Sequence, residues 1–355
     1  EGPNATLRIY ESGIVRNTLD PVLSDLLKGL RDHHETADLE PDDLDELKST
    51  INRITGLKES LELYLRQKQE DDVYWIERSE YRDNVTLRSS PVDVSEVLRD
   101  QFFDPVHASV LTSATLTTSS DDPFEHIRGR LGLDHARTLE LGHPFDYENQ
   151  ARLRLVSGLT SPSSDSEKFT RQVADWLENH FEENGGATFV LFTSYRMLNS
   201  VADQLREPLN DQGIRLLVQG GDLPRRRMLE EFRSDQPAVI FGADAFWEGV
   251  DIRGEDLNHV IITKLPFPNP ADPLVEATSE RLEKEGKNPF MDYFIPEAVL
   301  TLKQGFGRLI RSRDDTGEIT ILDSRVLQKR YGHYFLDALP DCERIRETFE
   351  DQVNS

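Results

Sequence analysis

Short apolar runs alternate with amphipathic stretches along the C-terminal half of the chain, and this alternation constrains the fold most. The apolar runs suit buried β-strands and lie at 153–158, 187–194, 214–219, 238–242, 259–267 and 318–323. Helical spacing follows near 166–183, 195–208, 224–234, 273–285, 296–311 and 325–338. Strands that alternate with helices predict βαβ units around a parallel sheet. We therefore predict an α/β fold whose doubly wound sheet begins near residue 150.

Upstream of that point the pattern predicts mainly helix. Residues 38–70 carry leucines and isoleucines at three- and four-residue steps, and Pro41 with Asp42 suits a helix start. We expect a helical hairpin or insertion here, without chemistry of its own. Val110 and Leu111 are expected to form a short strand that leads into small hydroxyl residues at 112–116.

The charge of the chain is strongly acidic, with 66 Asp and Glu against 41 Lys and Arg and a net charge of −25. Arginines number 31 and lysines only 10, a skew that favours a surface adapted to high salt. An ordinary acidic protein with charged helices is the alternative. Such a balance disfavours phosphate-backbone binding in general, because affinity there comes largely from Lys and Arg.

Composition also limits location and cofactors. No stretch approaches the roughly 20 apolar residues that a bilayer span requires, and no secretory signal is present. Cys342 is the only cysteine, which excludes an internal disulfide and a multi-cysteine metal site. We expect a cytoplasmic monomer without membrane association, and the opening Glu1 leads us to expect a fragment.

The most specific motif lies at 304–317, where Gln304, Gly307, Arg308 and Arg311 give the pattern Q-x-x-G-R-x-x-R at the end of a predicted helix. Arg308 and Arg311 are three residues apart and are expected to share one helix face. Two adjacent guanidiniums repel unless an anion bridges them, and a triphosphate is a natural candidate. Ion pairs with nearby carboxylates such as Asp314 and Asp315 are the alternative.

Three further loops follow predicted strands, where open parallel sheets bind ligands. In 241–254, Gly249 and Asp251 suit a tight loop against phosphate or ribose, while Phe246 and Trp247 are either site aromatics or core anchors. Thr193 and Ser194 suit a nucleic-acid phosphate or a plain helix N-cap. The third loop is the hydroxyl-rich segment 111–116, which is weak alone.

In this order and spacing, the segments at 111–116, 192–195, 246–251 and 304–311 resemble motifs III to VI of superfamily 2 helicases. The XPD/DinG branch is favoured by connectors at 144–150, 264–273 and 323–340, and the resemblance covers about residues 73–340. It implies two RecA-like domains that clamp ATP between them while single-stranded DNA crosses both. This chain would hold the second motor domain.

The resemblance also implies roles for single residues. Arg308 and Arg311 match arginines that reach the γ-phosphate, Arg311 as the finger, and Gln304 matches the leading position of that motif. The other implied roles are nucleotide contacts by Glu248, Gly249 and Asp251, coupling of hydrolysis to domain closure by Ser113 and Thr115, and DNA contacts by Thr193, Ser194, Gln219 and Trp247.

The chain departs from the family at several points. It contains no G-x-x-x-x-G-K-[ST] phosphate loop, no Asp-Glu-x-His box and no four-cysteine iron–sulfur site, and 243–245 lacks the expected hydroxyl and glycine residues. We expect ATP and Mg²⁺ in a complete enzyme, no cluster in this chain and no hydrolysis by the chain alone. The expected parts are an arch-like helical remnant at 1–72, the end of the first motor domain at 73–150 and the second motor domain at 151–355.

The leading hypothesis is therefore the C-terminal portion of an ATP-dependent DNA helicase that moves 5′ to 3′. A non-catalytic module that binds nucleic acid or a partner is the alternative from another class. An RNA helicase of the same superfamily is a third hypothesis, and the connector at 264–273 favours DNA over RNA.

Overall fold

The computed structural model describes residues 5–69, 71–78, 84–118, 121–221, 223–235, 237–243, 246–247, 257–310 and 312–350. Its strands are β1 (Ala5–Ile9), β2 (Asp72–Arg78), β3 (Val85–Pro91), β4 (Ala151–Ser157), β5 (Thr188–Phe192), β6 (Arg215–Val218), β7 (Ala238–Ala243), β8 (His259–Ile262), β9 (Gly317–Ile321) and β10 (Glu343–Thr348).

The longer helices are α1 (Leu19–Thr36), α2 (Pro41–Arg66), α6 (Ser166–Asn184), α7 (Tyr195–Asp211), α8 (Arg225–Ser234), α9 (Pro273–Lys284) and α10 (Ile295–Phe306). The shorter ones are α3 (Ser95–Leu98), α4 (Glu125–Leu131), α5 (Tyr147–Gln150), α11 (Arg325–Gln328) and α12 (Gly332–Asp337), and π-helical turns span Arg99–Phe103 and Phe290–Phe294.

The chain forms two compact units. The first comprises Glu1–Val97 with Asn269–Pro289, and the second comprises Leu98–Pro268 with Phe290–Ser355. The predicted division at residues 72 and 150 stays a prediction, although the first unit contains a small sheet that crosses residue 72.

That sheet has three antiparallel strands in the order β1-β2-β3. Beside it α1 and α2 pack against each other, and α2 begins at Pro41 as the sequence predicts. Helix α9 returns to this unit, where Arg8 of β1 donates two hydrogen bonds to Glu280 at 3.0 and 2.8 Å.

The second unit is built around seven strands in the order β10-β4-β9-β8-β5-β7-β6, with every neighbouring pair parallel. Strands β5, β7 and β8 are buried along their whole length, because helices cover both faces of the sheet. One face packs with α10 and the other with α6 and α7. The predicted α/β, doubly wound parallel sheet is confirmed, and its architecture is RecA-like.

Three local predictions are wrong. The helix predicted over 296–311 ends at Phe306, where Gly307 caps it and buried Leu309 and Ile310 draw the chain into the core. The helix predicted over 325–338 is divided into α11 and α12. Val110 and Leu111 form no strand: they pair with no other described strand, and Val110 is 87% exposed.

Candidate functional site

The carboxyl ends of β7, β5, β8 and β9 lie side by side in the middle of the large sheet. The register pairs Leu191 with both Gly242 and Ile262, and Ile262 with Ile321. The loops that leave these strands therefore start at the same edge. This edge brings together the predicted segments that follow β5 and β7, and α10 packs against the same sheet.

The loop after β5 places its two hydroxyl residues at the start of α7. Ser194 caps α7, since its Oγ accepts a hydrogen bond from the Met197 amide at 3.3 Å, and Thr193 is half-buried beside it. The N-cap alternative is thus what the structure shows for Ser194. The Ser194 side chain is also exposed, so a DNA phosphate could reach it, and the predicted DNA contacts of both residues stay predictions.

Gln219 bridges three elements at this edge. Its Oε1 accepts from the Ala243 amide at 2.7 Å, and its Nε2 donates to the Tyr195 hydroxyl at 2.6 Å. The amide therefore ties the end of β6 to the end of β7 and to the first residue of α7. Tyr195 was missed by the sequence analysis. It is 40% exposed beside Ser194, so its ring lies where the predicted DNA contacts are.

Trp247 is a buried residue that connects the end of β5 to the turn after α10, and it is not a surface aromatic. Only 4% of it is exposed, and its indole Nε1 donates to the Phe192 carbonyl at 2.8 Å. Its ring fills the space over Gly305, where an added Cβ would lie 2.9 Å from a ring carbon. With Phe246 also fully buried, the core-anchor alternative describes both aromatics. The Trp247 ring has almost no surface to offer DNA, and the predicted DNA contact has no support from this geometry.

The turn after α10 holds Arg308. Its Nη2 donates to the Trp247 carbonyl at 2.7 Å, so the arginine is fixed against the loop that follows β7. The expectation that Arg308 and Arg311 share a helix face is wrong, because α10 ends at Phe306 and Arg308 lies in the turn beyond it. Arg311, like Glu248, Gly249 and Asp251, lies outside the described residues.

Gln304 lies in the last turn of α10. Its Oε1 atom is buried and accepts no hydrogen bond from any described residue, which is costly for a polar atom. The predicted nucleotide contacts of Gln304 and Arg308 stay predictions. Among the described residues, no group of three or more His, Cys, Asp or Glu side chains is placed to hold a metal ion.

The turn after Arg311 is held by residues that sequence alone did not identify. Gln150 is buried, and its Nε2 donates to the carbonyls of Ser312 and Asp315 at 3.0 and 2.7 Å. The Asp315 carboxylate accepts from the Ser312 amide and hydroxyl at 2.8 and 2.7 Å. One of the two carboxylates proposed as ion-pair partners therefore caps its own turn. Gln150 ends the connector at 144–150 that resembles the XPD/DinG branch, but nothing in the sequence indicated this contact.

Ser113 and Thr115 form a local hydroxyl turn, in which Ser113 Oγ accepts from the Thr115 amide at 3.1 Å. Lys303 of α10 reaches the same segment, because its Nζ donates to the carbonyl and hydroxyl of Thr117 at 2.9 and 3.0 Å. Burial lowers the pKa of Lys303. The predicted coupling segment is thus attached to the helix that carries Gln304, and the coupling role itself stays a prediction.

Known proteins share sequence similarity with this chain. Residues 177–342 match the family described as helicase C-terminal domain. The 3′-5′ exonuclease DinG of Bacillus subtilis is 36% identical over 303 residues, which are 83% of this chain and 32% of that protein. The ATP-dependent DNA helicase YoaA of Escherichia coli is 36% identical over 301 residues, which are 85% of this chain and 46% of that protein.

Solved structures support the fold. A solved XPD helicase superposes with a TM-score of 0.62 at 16% identity over 96% of this chain and 58% of that chain. Xpd4 of S. tokodaii superposes with a TM-score of 0.59 at 18% identity over 97% and 62%. At such low identity these likenesses show the architecture alone.

The seven-stranded parallel sheet and its flanking helices form a RecA-like α/β fold. More particularly, residues 177–342 are a helicase C-terminal domain, and the chain is an XPD/DinG-like C-terminal portion. It spans less than half the length of DinG and YoaA. Among helices of the described residues, none has both the length and the apolarity to cross a bilayer.

Proposed function

We propose that this chain is the C-terminal part of an ATP-dependent DNA helicase and supplies nucleotide and DNA contacts for ATP-driven unwinding. The main observation in support is that Trp247 hydrogen-bonds to both Phe192 and Arg308. The Trp247 indole donates to the carbonyl of Phe192, which directly precedes the predicted DNA contacts. The Trp247 carbonyl accepts from Arg308, one of the predicted nucleotide arginines, so Trp247 connects the two predicted sites. The relatives' names, with ATP-dependent DNA helicase among them, support the same function.

On the nucleotide side, Arg308 and Arg311 would stabilise negative charge that develops at the γ-phosphate, with Arg311 as the finger. In other nucleotide hydrolases an arginine of this kind is worth about 10³- to 10⁵-fold in rate. A guanidinium suits the task because its planar fork matches phosphate oxygens. Gln304 would offer its buried acceptor to the nucleotide or to ordered water, and Glu248, Gly249 and Asp251 would line the ribose and phosphates.

On the DNA side, Thr193 and Ser194 would contact backbone phosphate at the start of α7, where free amides and hydroxyls favour an anion. The Gln219 amide holds Tyr195 next to them. Aromatic rings beside phosphate contacts are typical of single-strand sites, because every base has a face that can stack. We propose Tyr195 as a platform of this kind, and Ser113 and Thr115 as the segment that couples hydrolysis to closure.

The chain alone is proposed to be inactive as an ATPase. Its sequence contains no phosphate loop and no Asp-Glu-x-His box, the groups that hold the β- and γ-phosphates and the metal. We further propose that the complete enzyme uses Mg²⁺, unwinds forked DNA 5′ to 3′, and acts in DNA repair as a cytoplasmic monomer. Partial-duplex substrates with a 5′ or a 3′ overhang test the direction of unwinding.

Two measurements on the purified 355-residue chain test the proposal. Fluorescence anisotropy with labelled single-stranded DNA should show binding that weakens as salt rises, while ATP turnover should stay at background with and without DNA. Turnover that DNA stimulates and Arg311→Ala abolishes would contradict the proposed division of labour. Failure to bind single-stranded DNA at any salt concentration would contradict the DNA-binding part.

A further inference from the structure

Lys264 lies at the same edge of the sheet as the predicted DNA contacts, and it begins the connector at 264–273, to which no ligand contact has been assigned. It comes two residues after β8, whose Ile262 pairs with Leu191 of β5 and Ile321 of β9. Thr263 continues the register, since its amide donates to the Leu191 carbonyl at 3.1 Å. Thr193, Lys264 and Asp323 each follow these paired residues by two positions, just beyond the ends of three adjacent strands.

The lysine is half-buried, yet it forms no hydrogen bond or ion pair with any described residue. Burial lowers the pKa of Lys264 and the nearby Arg325 guanidinium lowers it further, while the Asp323 carboxylate raises it in part. The ammonium is not among the buried polar atoms of the described residues that lack a partner, so it keeps contact with solvent. An anion can therefore reach it without displacing a protein carboxylate.

The carboxylate that acts on Lys264, Asp323, already has other partners. Asp323 is fully buried and accepts from the Leu265 amide at 3.0 Å, while Arg325 Nε donates to both of its oxygens at 2.9 and 3.1 Å. Arg325 therefore neutralises Asp323, and Lys264 stands beside a closed ion pair. Lys264 and Arg325 with Asp323 carry one net positive charge, in a chain whose overall net charge is −25.

From this geometry we infer that Lys264 binds a phosphate oxyanion at the carboxyl edge of the sheet, level with Thr193. The inference rests on the proposed function and extends it to a residue outside the recognised motifs. The phosphate belongs either to the backbone of single-stranded DNA or to a nucleotide. An ammonium suits both, because it is a compact point charge with three donors.

The test uses three variants of the 355-residue chain. Lys264→Met keeps the length of the side chain and removes its charge, and Lys264→Arg keeps the charge. Arg152→Ala is the matched control: it deletes a cation that is 63% exposed, at the amino end of β4, where it pairs with Glu343 at 3.0 Å. Each variant is measured for binding of labelled oligodeoxythymidylate, for binding of trinitrophenyl-ATP and for melting temperature.

Loss of one phosphate contact to a single strand should lower the dependence of log affinity on log salt by about 0.7. Extrapolated from 1 M to 0.1 M salt, that change corresponds to an affinity about fivefold weaker at 0.1 M. Lys264→Met should show this loss without a fall in melting temperature, since methionine needs no counter-charge. Lys264→Arg should retain most of the affinity, and Arg152→Ala should bind like the unmodified chain.

The two ligands identify the source of the phosphate. A loss confined to oligodeoxythymidylate places a DNA phosphodiester at Lys264, and a loss confined to trinitrophenyl-ATP places a nucleotide phosphate there. Unchanged binding of both ligands by Lys264→Met overturns this inference and leaves the proposed function standing. An affinity loss that Lys264→Arg does not restore also overturns it, because the effect then follows shape and not charge. An unmodified chain that binds neither ligand contradicts both proposals.

Discussion

A histidine pair, in which His259 is buried and His180 half-buried, should make this fold lose stability in mild acid. His180 of α6 and His259 of β8 share a hydrogen bond of 2.9 Å, and the second nitrogen of His259 lies 2.8 Å from the Thr320 hydroxyl. Burial lowers the pKa of His180 to about 4 and that of His259 well below its ordinary value. Both imidazoles are therefore neutral in the folded protein at pH 7.

The charged side chains around the two histidines form ion pairs with one another. Arg154 pairs with Glu318 at 2.6 Å and with Glu347 at 2.9 Å. A proton on either histidine would be opposed mainly by desolvation and also by Arg154. For His180, Glu318 and Glu347 partly offset this opposition. The neutral pair thus contributes stability that depends on pH.

The pKa difference between the folded and the unfolded chain sets the direction and magnitude of the change in unfolding free energy with pH. In the unfolded chain His180 titrates near 6.5, so its contribution is fully present above that pH and is lost as pH falls toward 4. For a folded pKa of about 4, the free energy of unfolding should fall by about 2 kcal/mol between pH 7 and pH 5. His259 acts in the same direction.

Urea unfolding at pH 7 and pH 5 measures this loss. His180→Gln should have a smaller loss than the unmodified chain, by about 2 kcal/mol, whatever its stability at pH 7. His333→Gln, which changes an exposed histidine in the same unit, should lose as much as the unmodified chain. The changing charge of surface carboxylates is common to all three chains and cancels in the comparison. Equal losses in the unmodified chain and His180→Gln would refute the argument.

Three further outcomes are expected. Potassium chloride raised to molar levels should increase the melting temperature, because salt screens the self-repulsion of a net charge of −25, and a flat or falling curve would indicate an ordinary acidic protein. Trp247→Phe should cost about 1–3 kcal/mol in urea unfolding, since the Phe192 carbonyl loses its donor, and a smaller effect would mean that water replaces it. Gln150→Ala should lower the kcat of the complete helicase and leave single-stranded DNA affinity unchanged, because the turn after Arg311 loses two hydrogen bonds. An unchanged kcat would show that Gln150 does not position this turn for catalysis.

The central sheet could be predicted because its strands are buried on both faces. The runs at 188–192, 238–243 and 259–262 are almost wholly apolar and too short for helices of ordinary length. The small antiparallel sheet could not be predicted. Strand β1 pairs with β2 across more than 60 residues, and exposed Leu7 and Leu87 weaken the alternation that would identify strands.

The site was predictable in its parts but not in its connections. The motif order located the loops after β5 and β7 and the turn at 304–308. The end of α10 depended on Leu309 and Ile310 packing into the core, which helical spacing alone cannot distinguish from one more turn. The hydrogen bond between Trp247 and Phe192 joins residues 55 positions apart, and the hydrogen bonds of Gln150 join residues more than 160 positions apart. Contacts over such separations are visible only in the folded chain.

We propose that Arg311 is the arginine finger of an ATP-driven helicase, and substitution of this residue tests the role. In the complete polypeptide that carries a phosphate loop, Arg311→Ala should lower kcat for ATP at least about 100-fold, with single-stranded DNA affinity little changed. Arg311→Lys should restore little, because a point charge cannot reproduce the planar fork. If Arg311 only pairs with Asp314 or Asp315, alanine should cost about 1 kcal/mol of stability or less and leave turnover nearly intact. Near-normal kcat with a lowered melting temperature would contradict the account.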